Sequence, residues 1–208
     1  NALELVRARS IEIDVPAQAE IVMEGFIDPA SDPVEVGPVA NATGYYSPAE
    51  TVMPLNLSAV THRANPIWHA LIPAAPPSEA GFFAQATERI FLPLLKLMVP
   101  ELVDIHFPEA GAGRYQMFVS IHKSYPQQAR RVVNALWSLE SLLSLKLIVV
   151  VDADVNVHDE QQVWYRVSTN LNPGRDLIRS EGPGDDDDHS AVVQGIGHKL
   201  GLDATRKS

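Results

Sequence analysis

The sequence predicts a mixed fold, with a β-rich segment over residues 1–73 followed by a carboxyl-terminal α/β domain over residues 74–208. Three observations support this. Before residue 70, alternating apolar residues recur in short runs with no helical stripe between them. Ala74-Ala-Pro-Pro77 then marks a change of character, after which helical stripes alternate with apolar runs. One of those runs, Leu145–Val151, is almost wholly apolar, as expected of a strand covered on both faces.

Ile11–Val15 and Ala19–Ile27 alternate and are read as strands separated by Pro16. Asp28–Pro38, with three prolines and a glycine, is a loop. Thr43–Tyr46, Leu55–Thr61 and Pro66–Leu71 complete the expected strands of a small antiparallel sheet or barrel. Ser78 is placed to cap a helix carrying Phe83, Ala84, Ala86, Ile90, Leu94 and Leu97, which Pro93 should kink or split. Strands are expected over Leu102–Phe107 and Tyr115–His122. A helix opening at Ser124-Tyr-Pro126 carries the stripe Ala129, Val132, Val133 and Leu136. Gln161–Thr169 reads as a short helix and Asn172–Ser190 as a polar loop, with no closing element after it. The chain opens on Asn1 and runs at once into structure, so it reads as a piece of a longer protein.

Composition narrows the function. With 16 Lys+Arg against 26 Asp+Glu, the net charge is −10, which argues against nonspecific binding to nucleic acid. No apolar run approaches the ~18 residues of a membrane span. No secretory signal is present, so the expected compartment is the cytoplasm. The absence of cysteine removes disulfides, thiol nucleophiles and thiolate metal sites.

Local motifs add little. Asp152-Ala-Asp154-Val-Asn156 alternates like a calcium loop but has Val157 where the glycine belongs and Val163 where the glutamate belongs. Gly195-Ile-Gly197-His-Lys-Leu-Gly201 has the wrong spacing for a dinucleotide fingerprint, and its glycines are assigned to a turn. The seven histidines show no metal-ligand spacing, and no metal site is expected from them. Asp185–Asp188 is expected to be a solvated loop held open by self-repulsion.

Five blocks, in order, resemble the UbiD family of decarboxylases. They are Ala19-Glu-Ile-Val-Met-Glu-Gly25, Val36-Gly-Pro-Val-Ala-Asn-Ala-Thr-Gly-Tyr-Tyr-Ser47, Val60-Thr-His-Arg-Ala-Asn-Pro-Ile67, Ile148-Val-Val-Val-Asp-Ala-Asp-Val-Asn-Val157 and Lys199-Leu-Gly-Leu-Asp-Ala-Thr205. The resemblance implies that residues 1–73 are the end of a flavin-binding split β-barrel-like domain. It also implies non-oxidative decarboxylation of an aromatic or α,β-unsaturated acid with prenylated FMN, a divalent metal (Mn or Mg) and potassium. A flavin prenyltransferase would supply the cofactor, and the carboxyl-terminal domain would mediate homo-oligomerisation. The family's metal and flavin ligands come from its preceding segment, so no complete cofactor site is expected within these residues.

The chain departs from the family at its acids. Where the family shows E-G-P-F-G-E, the glutamate positions hold Val36 and Asn41. Glu35, one residue earlier, is the candidate replacement carboxylate; His62 or water is the other candidate proton source. An amide does not titrate in the relevant range, so Asn41 cannot donate the proton. The lysine expected near the cofactor phosphate aligns with Leu139, with Lys146 several residues later. The resemblance places the substrate in a cleft between the domains, with Phe83, Ala84, Leu143 and Leu145 as candidate walls. Two functions follow: a decarboxylase that protonates its product differently, or an inactive family member serving as a binding or assembly subunit.

Overall fold

A computed structural model describes residues 2–207. The chain forms two compact units. The first runs up to Val39 and resumes over Tyr46–Leu71, and the second comprises Ala40–Tyr45 and the chain from Ile72 onward.

The amino-terminal strands are β1 (Leu5–Arg7), β2 (Asp14–Pro16), β3 (Ile21–Ile27), β4 (Val34–Val36), β5 (Val39–Ala40), β6 (Tyr46–Ser47), β7 (Glu50–Val52) and β8 (Leu55–His62). They pair two by two: β1 with β2, β3 with β8, β4 with β7 and β5 with β6. The antiparallel character expected from sequence is present, but no closed barrel forms among the described residues. Prolines 29, 33, 38, 48 and 54 remove ladder donors between β3 and β8, which keeps the intervening strands to two or three residues.

Three expected strands are corrected. Ile11–Val15 contributes only its end to β2, whose partner β1 was not anticipated. Thr43 and Gly44 form a turn, because Asn41 Oδ1 accepts from the Thr43 amide and Gly44 adopts φ +83°. Pro66–Leu71 forms no strand, and the Ile67 amide donates to the Glu20 carboxylate at 3.1 Å instead.

The second unit contains α1 (Glu79–Met98), β9 (Leu102–His106), β10 (Gln116–Ile121), α2 (Gln128–Trp137), β11 (Leu147–Asp152), α3 (Glu160–Asn170), β12 (Leu177–Pro183) and β13 (Ile196–Asp203). Its five-stranded sheet has the order β12-β13-β11-β10-β9. The three inner strands are mutually parallel, and the two edge strands run antiparallel to them. Alternation divides the sheet into two apolar faces. Met117, Val119, Ile121, Ile148 and Val150 pack with Ala84 and Leu95 of α1 and with Ala129, Val132, Val133 and Leu136 of α2. Phe118, Val149, Val151 and Leu202 pack with Val163 and Val167 of α3. This three-layer arrangement accounts for the continuous apolar run at Ile148–Val151.

Four further expectations are corrected here. α1 runs unbroken through Pro93, held by Leu92 and Leu95 against the core. α2 starts at Gln128 and not at Ser124, because Gln127 takes a left-handed conformation and the Gln128 side chain accepts from the Ser124 amide at 2.6 Å. The polar segment Asn172–Ser190 contains β12, an edge strand that is exposed along much of its length. The glycine-rich stretch is β13, an inner strand; only Gly195, at φ +73°, serves the turn. Gly201 is required there because a Cβ would lie 2.8 Å from Val133 Cγ1. No helix among the described residues is long and apolar enough to cross a membrane.

Candidate functional site

The site residues proposed from sequence fall in both units. Glu35 lies exposed on β4 in the first unit, paired in register with Thr51. His62, the other candidate proton source, ends β8 in the same unit with its Nδ1 2.7 Å from Arg63 O, and the remaining candidates belong to the second unit. Asn41 caps its own turn, its Oδ1 accepting from the Thr43 amide at 2.9 Å and from the Thr43 hydroxyl. Tyr45, four residues on, stacks on His189 with ring centroids 3.7 Å apart.

The strip Gly113–Tyr115 draws several of these segments together. Gly113, at φ +69°, sits so close to α1 that a Cβ would meet Ala80 O at 2.9 Å and Ala84 Cβ at 3.2 Å. Arg114 O accepts from Ser144 Oγ at 3.2 Å, bringing up the segment that holds Leu143 and Leu145. Arg114 reaches Asp185 at 3.2 Å and Asp187 at 3.0 Å, in the loop that carries His189. Ala84 and Leu145 are buried, Leu143 is partly exposed and Phe83 is exposed.

The acidic run is therefore not a free, solvated loop, as its charge suggested. Arg114 neutralises two of its carboxylates, and Lys146 bonds Asp188 at 2.9 Å and Ser190 at 2.6 Å. Burial alone would raise the Asp188 carboxyl, but hydrogen bonds from Ser190 and Lys146 outweigh it and hold the group below its usual range. Tyr115 shifts upward, through burial first and then the charge of Asp185. Its hydroxyl is buried without a hydrogen-bond partner among the described residues.

At the carboxyl ends of the parallel strands lies a pocket of about 600 Å³, bordered by Asp152, Asp203, Arg175 and Arg206. Its charges are matched internally. Asp152 accepts from the Arg206 amide at 2.8 Å, Asp154 pairs with the Arg206 side chain, and Asp176 pairs with Arg175 at 2.7 Å. The Asp152–Asn156 motif thus closes a loop instead of a calcium site.

The fold also assembles a group that the sequence concealed. Ligand atoms of Glu88 on α1, His106 at the end of β9 and His158 before α3 all lie within 4.8 Å of one another. Glu88 is 3% exposed, and the Phe107 amide donates to its Oε2 at 2.8 Å. Its Oε1 faces His106 Nδ1 at 3.4 Å, His158 Nδ1 at 3.8 Å and Arg89 Nε at 3.8 Å. His158 Nε2 lies 3.1 Å from Asp104 Oδ2, and Arg89 holds Asp104 Oδ1 at 2.7 Å. Burial opposes ionisation of Asp104, but hydrogen bonds from Arg89, the Ile105 amide and His158 keep its carboxyl below the usual range. The residues are scattered along the chain, with 18 positions between Glu88 and His106 and 54 between Asp104 and His158, so no local motif could reveal them.

Comparison with known proteins matches both parts of the chain. The family described as the 3-octaprenyl-4-hydroxybenzoate carboxy-lyase Rift-related domain matches residues 1–76. The family described as the carboxyl-terminal domain of the same carboxy-lyase matches residues 81–204. An uncharacterized protein of Archaeoglobus fulgidus is 44% identical over 99% of this chain and 43% of its own length. An evolved dimeric form of the UbiD-class enzyme HmfF from Pelotomaculum thermopropionicum, in complex with prFMN, superposes with TM-score 0.77 at 33% identity. The match covers 99% of this chain and 44% of that one. The closed form of Sedimentibacter hydroxybenzoicus vanillic acid decarboxylase gives TM-score 0.87 at 29% identity, over 97% and 43% of the two chains. The chain therefore spans less than half the length of the relatives it matches.

Proposed function

The chain belongs to the UbiD carboxy-lyase family, and from this we propose that the whole protein removes CO2 non-oxidatively from an aromatic or α,β-unsaturated carboxylic acid. The observation that carries the reading is the match of both family domains in order, together with the likeness to decarboxylases over nearly the whole chain. We place the division between the end of the flavin-binding, barrel-like domain and the α/β domain at 73/74.

The proposed cofactor is prenylated FMN with a divalent metal (Mn or Mg) and potassium, supplied through a flavin prenyltransferase. When bound, the flavin serves as the sink for the electrons left by departing CO2. Two cations of the second unit beside the candidate segments already have anionic partners. Arg114 already faces Asp185 and Asp187, and Lys146 already faces Asp188. No step through the flavin is therefore assigned to these residues.

The roles that remain for this chain are positioning and proton delivery. Glu35 is the proposed proton donor, standing beside the position where the family carries a glutamate. Asn41 holds the second glutamate position and there acts as a neutral turn cap. Phe83 and Leu143 are proposed walls of an apolar substrate pocket, with Ala84 and Leu145 packed behind them. Homo-oligomerisation is part of the same reading, supported by likeness to a dimeric HmfF.

One observation favours a second reading, a catalytically inactive binding or assembly subunit. Asn41 cannot titrate, and its side-chain oxygen is engaged by Thr43. The test is to co-express the whole protein with a flavin prenyltransferase and to follow CO2 release from a panel of aromatic and unsaturated acids. Release that depends on the modified flavin and falls in Glu35→Gln is expected. A protein that binds flavin yet releases no CO2 from any acid would transfer the case to the inactive subunit.

A further inference from the structure

We propose that Glu88, His106 and His158 form a binding site for a divalent metal of the zinc class at the β9 edge of the sheet. This site is built wholly within the α/β unit.

The first argument is distance. Tetrahedral zinc with bonds of about 2.0–2.1 Å sets neighbouring ligand atoms about 3.3–3.4 Å apart. His106 Nδ1 stands 3.4 Å from Glu88 Oε1, and His158 Nδ1 stands 3.8 Å from the same oxygen. A charge-assisted hydrogen bond between imidazolium and carboxylate is shorter, at about 2.7–2.9 Å. His106 Nδ1 also lies 3.3 Å from Glu88 Oε2, so both imidazoles stand at or near the spacing that a shared tetrahedral cation requires.

The second argument is orientation. Asp104 Oδ1 accepts from Arg89 Nη2 at 2.7 Å, and Asp104 Oδ2 lies 3.1 Å from His158 Nε2. With Nε2 held toward Asp104, the other ring nitrogen, Nδ1, faces Glu88 Oε1 at 3.8 Å and is the atom offered to a metal. A carboxylate that orients a histidine in this way is the usual outer shell of a zinc ligand.

The third argument is placement. Glu88 comes from the helix on one face of the sheet, His106 from the edge strand, and His158 from the loop leading to the helix on the other face. One ion would clip all three layers at an edge that no further strand closes among the described residues. Two imidazoles and one carboxylate favour zinc over magnesium or calcium. Three protein ligands leave a fourth position for water on the side where His158 is 38% exposed.

The test is calorimetric titration of the whole protein with ZnCl2, after chelator stripping and without flavin. His158→Gln is the principal variant, because its half-exposed loop position spares the core. Wild type is expected to bind one equivalent more than H158Q, at micromolar affinity or tighter, and zinc should raise the Tm of wild type only. Asp104→Asn keeps all three ligands and should weaken that equivalent by about tenfold. Equal zinc uptake by wild type and H158Q, or an affinity unmoved by D104N, would overturn the site. None of these readings involves CO2 release, so the outcome stands apart from the decarboxylase assignment.

Discussion

The two units share one chain but manage apolar surface in opposite ways. In the second, Met117, Val119, Leu136, Ile148 and Val150 are fully buried between sheet and helices. In the first, Met23, Phe26, Ile27, Leu55, Leu57 and Val60 remain largely exposed along the β3–β8 ladder, and its buried residues are Ala8 and Glu24. A two-stranded ladder has no second layer to cover its apolar face, whereas a sheet between helices covers both faces. The second unit is therefore stabilised by its core. The first is shaped by local hydrogen bonds, such as those from the Arg9 amide and from the Ser10 amide and hydroxyl to the buried Glu24 carboxylate.

The largest effect should come from cutting the core. Leu136→Ala is expected to lower stability by about 2–5 kcal/mol, whereas Met23→Ala should stay within about 0.5 kcal/mol. Urea denaturation of both variants measures the contrast. A Met23→Ala loss comparable with that of Leu136→Ala in the whole protein would show that another segment covers the β3–β8 face.

Glycine substitutions sharpen the comparison at the next level. Gly201→Ala would drive a methyl against Val133 and Ile178, an overpacking that should cost about 1–3 kcal/mol. Gly25→Ala would drive its methyl into the Asn56 carbonyl oxygen, at the bulge of the β3–β8 ladder. Side chains can yield at the first position, but only backbone meets the methyl at the second. Thermal unfolding should therefore show Gly25→Ala disturbing the first unit while leaving the core of the second intact.

Acid offers a smaller, graded test. Asp176 is held at about 2, chiefly by the Arg175 hydrogen bond, with burial opposing and the Asn172 amide and Lys207 assisting. A carboxyl whose folded pKa lies below its unfolded value contributes stability above the unfolded pKa, and loses it as pH falls through the folded one. Asp176→Asn should therefore flatten the decline in stability of the second unit between about pH 4 and about pH 2. Glu24 is lowered in the same direction, by the Ser10 hydroxyl first and then by the Arg9 and Ser10 amides. The first unit should accordingly loosen on acidification below the ordinary glutamate range, as read from the amide resonances of Arg9 and Ser10.

The smallest effect is confined to one loop. Arg114→Ala removes the ion pairs to Asp185 and Asp187, so amide exchange over residues 185–190 should quicken while global stability shifts by no more than about 1 kcal/mol. An unchanged exchange rate would mean that Lys146 and Ser190 alone hold the loop.

Legibility from sequence followed the same division. Segments whose burial leaves a period in the chain were readable, as with the stripe of α2 and the apolar run of β11. Those shaped by partners were not. β12 reads as a polar loop because only Leu177 and Ile178 at its start are apolar, and β13 reads as a turn because Gly197 and Gly201 interrupt it. Each becomes a strand by pairing with the other over seven registered positions. In the first unit Ile11–Val15 was overextended, whereas β4, inside the expected Asp28–Pro38 loop, and β7 were missed, because three-residue strands between prolines leave no alternation to read. Glu88, His106 and His158 were missed for a related reason: their proximity is created by the sheet edge and recorded in no spacing.

The position of β13 bears on how the molecule is made. Among the described residues it is the latest strand in sequence, yet it lies between β11 and β12. During synthesis β11 is finished early, with one side bonded to β10 and the other bare until Ile196–Asp203 leaves the ribosome. Until then β12 has no neighbour in its sheet, and an apolar strand edge stands open to any passing chain. The nascent protein thus passes through an adhesive stage whose length is set by the residues between Asp152 and Asp203.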